Sequence, residues 1–138
     1  MNAKVFIDTN ILVYAYNSDD DDKQNIAAKL LNENLAEEEI YISVQVLNEF
    51  YAVLSRHKIT HLDIKQYADE IISSVRILPI SVLTTRKAFT VKEKYHYSWW
   101  DSLVLASALE NDCKIIYSED MQHGQVIENT LEIVNPFV

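Results

Sequence analysis

Short apolar runs alternate with longer stretches of helical periodicity along this chain, and that alternation limits the fold class before any single residue is weighed. Val5-Phe6-Ile7 is a continuous apolar run of strand length, and Ile26-Ala27, Leu30-Leu31 and Leu35 then recur at the spacing of one helix face. Ile40-Tyr41-Ile42 is a β-branched and aromatic strand, and Ser43 stands as N-cap for a helix carrying Val46, Leu47, Phe50, Val53 and Leu54. Thr60 and Asp63 have capping-box spacing ahead of Ile64, Tyr67, Ala68, Ile71 and Ile72. Arg76-Ile77-Leu78 is a short strand stopped by Pro79. A helix follows Thr84 or Thr85, Ser98 opens another, and strands follow at Lys114 to Tyr117 and Leu131 to Val134. This order predicts an α/β fold with a mostly parallel central sheet flanked by helices on both faces. Sites in such sheets form beyond the carboxyl ends of the strands.

At 138 residues and 49% hydrophobic content, the chain has the size of one domain spanning 1–138. Its sole cysteine, Cys113, excludes an internal disulfide framework and a cysteine-based zinc cluster, which fits a reducing compartment. Met1-Asn2-Ala3-Lys4 leads into the first strand without a signal-type apolar stretch, and no segment approaches the roughly 18 apolar residues of a membrane span, so a soluble, cytoplasmic protein is expected. With 21 acidic against 12 basic residues the net charge is −9, which repels polyanions at long range. Any nucleic acid must therefore be held locally. Gly124 is the only glycine, so no glycine-rich phosphate loop for a dinucleotide is possible. The run Asp19-Asp20-Asp21-Asp22 reads as a solvated loop whose last acids favour the start of the next helix.

Four other acids lie where one element gives way to the next. Asp8 follows the buried run Val5-Phe6-Ile7, either as an N-cap or as part of a site. Glu49 lies beside the Val46, Phe50 and Val53 stripe, where a solvated helix flank is the plain alternative. Asp101 has Val104, Leu105 and Ala108 at i+3, i+4 and i+7, which places it on an inward-facing stripe, unless it serves only as the capping partner of Ser98. Asp120 ends Ser118-Glu119-Asp120 after Ile115-Ile116-Tyr117, as a turn acid or a ligand. A carboxylate at a buried strand end is costly to desolvate without a partner, and a hydrated divalent cation shared among several such groups is one sound partner.

Taken together, these segments resemble the PIN-domain nuclease family, and more narrowly the VapC-type toxins of bacterial toxin–antitoxin pairs, over nearly the whole chain. Ile7-Asp8-Thr9-Asn10-Ile11-Leu12 resembles the opening motif, Asn48-Glu49-Phe50 the helical glutamate, Asp101-Ser102-Leu103-Val104-Leu105-Ala106 the aspartate-led helix, and Ser118-Glu119-Asp120 the final acidic motif. The resemblance implies that Asp8, Glu49, Asp101 and Asp120 are the catalytic, metal-binding set and that Thr9, Asn10 and Ser118 support it through hydrogen bonds. It implies Mg2+ or Mn2+ as cofactor, RNA (transfer RNA among the family's substrates) as the molecule cut, a homodimer, and a VapB-type antitoxin as partner. Oxygen-only ligands favour magnesium or manganese over zinc. Glu119 adds a charge where family members vary.

Other features carry less. Trp99-Trp100 offers either base stacking or packing, the latter being commoner at a helix start. His57, His61, His96 and His123 have no metal-site spacing; His123 falls near the final acidic motif and fits a turn role. Arg56, Lys58, Arg86, Lys87, Lys92 and Lys94 are candidate guides for a strand, with solvated surface charge as the plain reading. A phosphoaspartyl enzyme would resemble Asp-x-Asp, whereas position 10 is Asn. The remaining alternatives are a PIN nuclease of RNA processing that is not a toxin, and an inactive interaction module of the same fold.

Overall fold

The computed structural model describes residues 3–37 and 39–138, with side chains described throughout except at 34–37. The start at Met1-Asn2 and the side chain of Leu35 lie outside the described residues. Strand β1 (Lys4–Ile7) leads directly into α1 (Thr9–Tyr16) and α2 (Asp21–Glu37). β2 (Glu39–Ser43), α3 (Val44–Arg56), α4 (His61–Ser74) and β3 (Arg76–Leu78) follow. The chain continues through α5 (Val82–Tyr95), α6 (Trp99–Glu110), β4 (Ile115–Tyr117), β5 (Val126–Ile127) and β6 (Leu131–Val134).

The strands lie in the order β3-β2-β1-β4-β6-β5, all neighbours parallel except β5 and β6. β1 is central: Val5 pairs with Ile40 on one side and Ile115 on the other, Phe6 with Tyr41 and Ile116. This explains why Val5-Phe6-Ile7 is apolar at every position and fully buried, since both faces of a central parallel strand are covered. The chain steps outward from β1 to β2 and β3, then returns to lay β4 on the opposite edge of β1. Right-handed crossovers in these two directions put α1–α4 on one face and α5–α6 on the other, in keeping with the packing of α1 on α2 and α3, and of α5 on α6. The reversal leaves a crevice beyond the carboxyl ends of β1 and β4, the place where ligands bind in sheets of this type.

Local sequence sets most element boundaries. The Ser43 hydroxyl accepts the Val46 amide, and that of Thr60 accepts the Asp63 amide. α5 begins earlier than expected. Ser81 is its N-cap and Thr84, read as a starting residue, is instead the third helical position, whose hydroxyl takes the Ser81 amide and closes a capping box. β5 was not anticipated, because two residues carry no readable alternation; it pairs antiparallel with β6 beyond Gly124, whose φ of 85° suits glycine. α6 is buried continuously from Ser102 to Leu109. Val104, Leu105 and Ala108 join the main core, while Leu103 and Ala106 pack with Ala88 of α5, so this helix is covered from both sides.

Candidate active site

Asp8 leaves β1 at the crevice and is 5% exposed. Its amide donates to the Tyr117 carbonyl at 3.0 Å, extending the β1–β4 ladder by one bond. Its side chain caps α1, with Oδ1 accepting the Thr9 amide at 2.8 Å, while Oδ2 accepts the Ser118 hydroxyl at 2.8 Å. The N-cap and site readings of this residue are thus compatible in one side chain. Burial pushes the Asp8 carboxyl up to about 7. The Ser118 and Thr9 bonds oppose this, and the charges of Asp101 and Asp120 add to it.

Glu49 reaches the same region from α3. Its Oε1 accepts from the Thr9 hydroxyl at 3.3 Å and from Gln45 Nε2 at 3.1 Å, so both bonds fall on one oxygen. Burial raises its carboxyl above the ordinary range, the Gln45 and Thr9 bonds oppose the rise, and Asp101 adds to it. Asp101 enters from the first turn of α6, where its amide donates to the Ser98 hydroxyl at 3.1 Å. Burial lifts its carboxyl too, a hydrogen bond from the Ser98 side chain to that carboxyl opposes the rise, and Asp120 adds to it. Asp120 is exposed, and its Oδ2 accepts from Asn10 Nδ2 at 2.9 Å while its amide donates to the Ser118 hydroxyl at 3.2 Å. Asp8 and Asp101 therefore share one crevice, and Thr9, Asn10 and Ser118 form the hydrogen-bonding frame around it.

Cations are missing from this frame: among the described residues none of the four carboxylates forms an ion pair. Nor does any set of three His, Cys, Asp or Glu side chains among them stand as a ready-made metal cage. Like charges do not close on one another unaided. A hard divalent cation fits this donor set, because it is all oxygen, partly desolvated, and destabilised by its own negative charge.

Other side chains resolve differently. Glu119 is taken up by the Tyr14 hydroxyl at 2.6 Å and the Lys23 ammonium. Burial pushes its carboxyl up, but the Lys23 and Tyr14 bonds prevail and leave it below its ordinary value. His123 Nδ1 accepts the Asn135 amide at 3.0 Å, a loop-fixing role. His57 meets Asn17, and His61 meets Tyr51. Trp99 packs on Phe89, whereas Trp100 is 61% exposed and lines a shallow groove with Val44, Gln45, Asn48, Ala52 and Ile80, bordering Glu49. Sequence reasoning missed Gln45, which also donates to the Trp100 carbonyl at 3.2 Å and so ties α3 to the start of α6. Its position four residues before Glu49 was the available signal, since such pairs share a helix face.

No helix among the described residues is long and apolar enough to cross a membrane. Comparison with solved structures gives the same fold several times. The toxin VapC20 of Mycobacterium tuberculosis, described as cleaving the sarcin–ricin loop, aligns with TM-score 0.70 at 19% identity over 84% of this chain and 91% of its own. A toxin–antitoxin complex from Klebsiella pneumoniae aligns at 0.72 and 18% over 96% and 97%. VapBC2 of Rickettsia felis, bound to a DNA fragment from its promoter, aligns at 0.71 and 22% over 96% and 99%. No curated protein matches the chain. The PIN domain family model matches residues 5–128, the span holding all four acids and their hydrogen-bonding frame, and the chain belongs to the PIN domain family.

Proposed function

We propose that this protein is a divalent-metal-dependent endoribonuclease. The observation that carries the reading is Asp8: a carboxylate buried at a central strand end, facing the charges of Asp101 and Asp120 with no ion-pair partner for any of the three among the described residues. Asp8, Glu49, Asp101 and Asp120 would hold Mg2+ or Mn2+. When bound, such an ion polarises the phosphate, makes water a better nucleophile at neutral pH and stabilises charge on the phosphate oxygens. The chain's own residues prepare that chemistry. Ser118 and Thr9 fix both oxygens of Asp8. Thr9 and Gln45 hold Glu49 through Oε1. Asn10 orients Asp120.

The toxin reading is a further step, supported by neighbours described as a VapC toxin, a VapBC pair and a toxin–antitoxin complex that share the fold over 84% to 96% of this chain. On it, the protein is the toxin of a toxin–antitoxin pair, a homodimer held inactive by a VapB-type antitoxin. It acts in the cytoplasm on structured RNA, with transfer RNA the first substrate to try.

The test is cleavage of a structured RNA panel by the purified protein with magnesium, manganese or chelator, beside Asp8→Asn and Asp101→Asn. Cutting should need the metal and vanish in both folded variants. Cutting at the parental rate by either variant would assign the activity to another site. Expression of the chain alone should arrest growth, and the same substitutions should relieve the arrest.

A further inference from the structure

Two adjacent acids in the β4–β5 connection both reach α1, at residues one turn apart. Asp120 is tied to Asn10 at the crevice, while Glu119 reaches across to α1 and α2, where Tyr14 donates to Oε1 at 2.6 Å and Lys23 meets Oε2. Lys23 is itself seated, its ammonium 4.9 Å from the centre of the Tyr14 ring and 5.4 Å from that of Phe137. Those two rings meet edge to face at 5.2 Å. Cation and rings thus hold one another in place. The Glu119 amide donates to Asn10 Oδ1 at 3.2 Å, and Asn10 Nδ2 donates to Asp120 at 2.9 Å, so the backbone that carries Glu119 also sets Asp120.

We infer that Lys23 and Tyr14, gripping Glu119, are positioning residues for the cation site. The inference rests on the metal-dependent reading above. Residues 119–121 bend directly after Ser118, so the clasp of Tyr14 and Lys23 on Glu119 holds the bend that presents Asp120 to Asn10. Lys23 lies 96 positions from Glu119 in the chain, and no local motif joins them.

The test is calorimetric titration of the full chain with Mn2+, in the absence of RNA. Wild type should bind. Lys23→Met should bind roughly tenfold more weakly, the scale seen when an outer partner of a metal ligand is lost, and Lys23→Arg should restore affinity to within about twofold. A role confined to stability would lower the unfolding temperature of Lys23→Met and leave its Mn2+ affinity unchanged, which would overturn the inference. Should Lys23→Met fail to fold, Tyr14→Phe removes only the hydroxyl. About threefold weaker binding by that variant supports the clasp, and unchanged binding overturns it. Wild-type protein that takes up no Mn2+ would instead overturn the metal-site reading, and this inference with it.

Discussion

Asp8 and Glu119 lie at the same end of the sheet and are treated in opposite ways. Asp8 is enclosed by the ends of β1 and β4, receives only neutral donors, and its carboxyl is pushed up to about 7 chiefly by burial. Glu119 is matched with a lysine seated on two aromatic rings and is held below its ordinary value against the effect of burial. Where this fold wants a carboxylate fixed, it supplies a cation. Where it leaves carboxylates together without one, the unmatched charge is itself the affinity for a cation from outside. On the proposed reading, the difference separates acids that hold the molecule together from acids that would hold the metal.

The sharpest way to break this contrast is to remove the unmatched charges. Asp8→Asn and Asp101→Asn should each lower RNA cleavage by about 100-fold or more in saturating Mg2+, as loss of a ligand that assembles a metal site requires. Excess Mn2+ should stabilise wild type by about 2.7 kcal/mol at 100 times its dissociation constant and Asp8→Asn by much less, read as the shift in unfolding temperature. Equal stabilisation of both proteins would show that Asp8 is no ligand.

Without metal the same substitution should act in the opposite sense. The Asp8 carboxyl is raised in the folded protein from an ordinary 3.8 to about 7, so the folded state binds the proton more tightly than the unfolded one and loses stability as pH rises through that window. In chelator, Asp8→Asn should therefore be more stable than wild type by at most about 4 kcal/mol near pH 8, and the gain should shrink to about 1.5 kcal/mol near pH 5. Ser118→Ala should do the reverse. It takes from a buried carboxylate one of its two hydrogen bonds, at a cost of about 1–3 kcal/mol near pH 8 and less near pH 5, where Asp8 is protonated in the folded state. Denaturant titrations at the two pH values decide both. A pH-independent difference would mean that Asp8 is not the group that titrates.

The elements that the sequence made legible are those whose cause is local. Val5-Phe6-Ile7 reads as a buried strand because both of its faces are covered, and Ser43, Thr60 and Ser98 announce their helices because a cap acts within one turn. Asp8, Thr9 and Asn10 were open to inspection for the same reason, as a polar trio between two apolar runs. β5 escaped because its pairing depends on β6 alone, and α5, expected to follow Thr84 or Thr85, begins at Val82 because Thr84 has the chemistry of a cap while serving the cap at Ser81. Lys23 and Tyr14 were illegible as partners of Glu119, since only the folded chain brings α1 and α2 to the end of β4.

The smallest expected effect separates two neighbours at the start of α6. Trp99 packs on Phe89 at 5.4 Å and anchors the turn that carries Asp101, whereas Trp100 is 61% exposed above the groove beside Glu49. Trp99→Ala should cost about 1–3 kcal/mol through lost packing, and Trp100→Ala should stay within about 0.5 kcal/mol, as surface changes do. Denaturation midpoints of the two variants, measured in chelator so that metal binding does not contribute, give the comparison. An equal loss in both would make the Trp100 groove part of the scaffold rather than a free surface next to the unmatched acids. Near-zero loss at Trp100 together with weaker RNA binding would assign that ring to the substrate strand, where stacking on an exposed aromatic contributes about 1–3 kcal/mol per base.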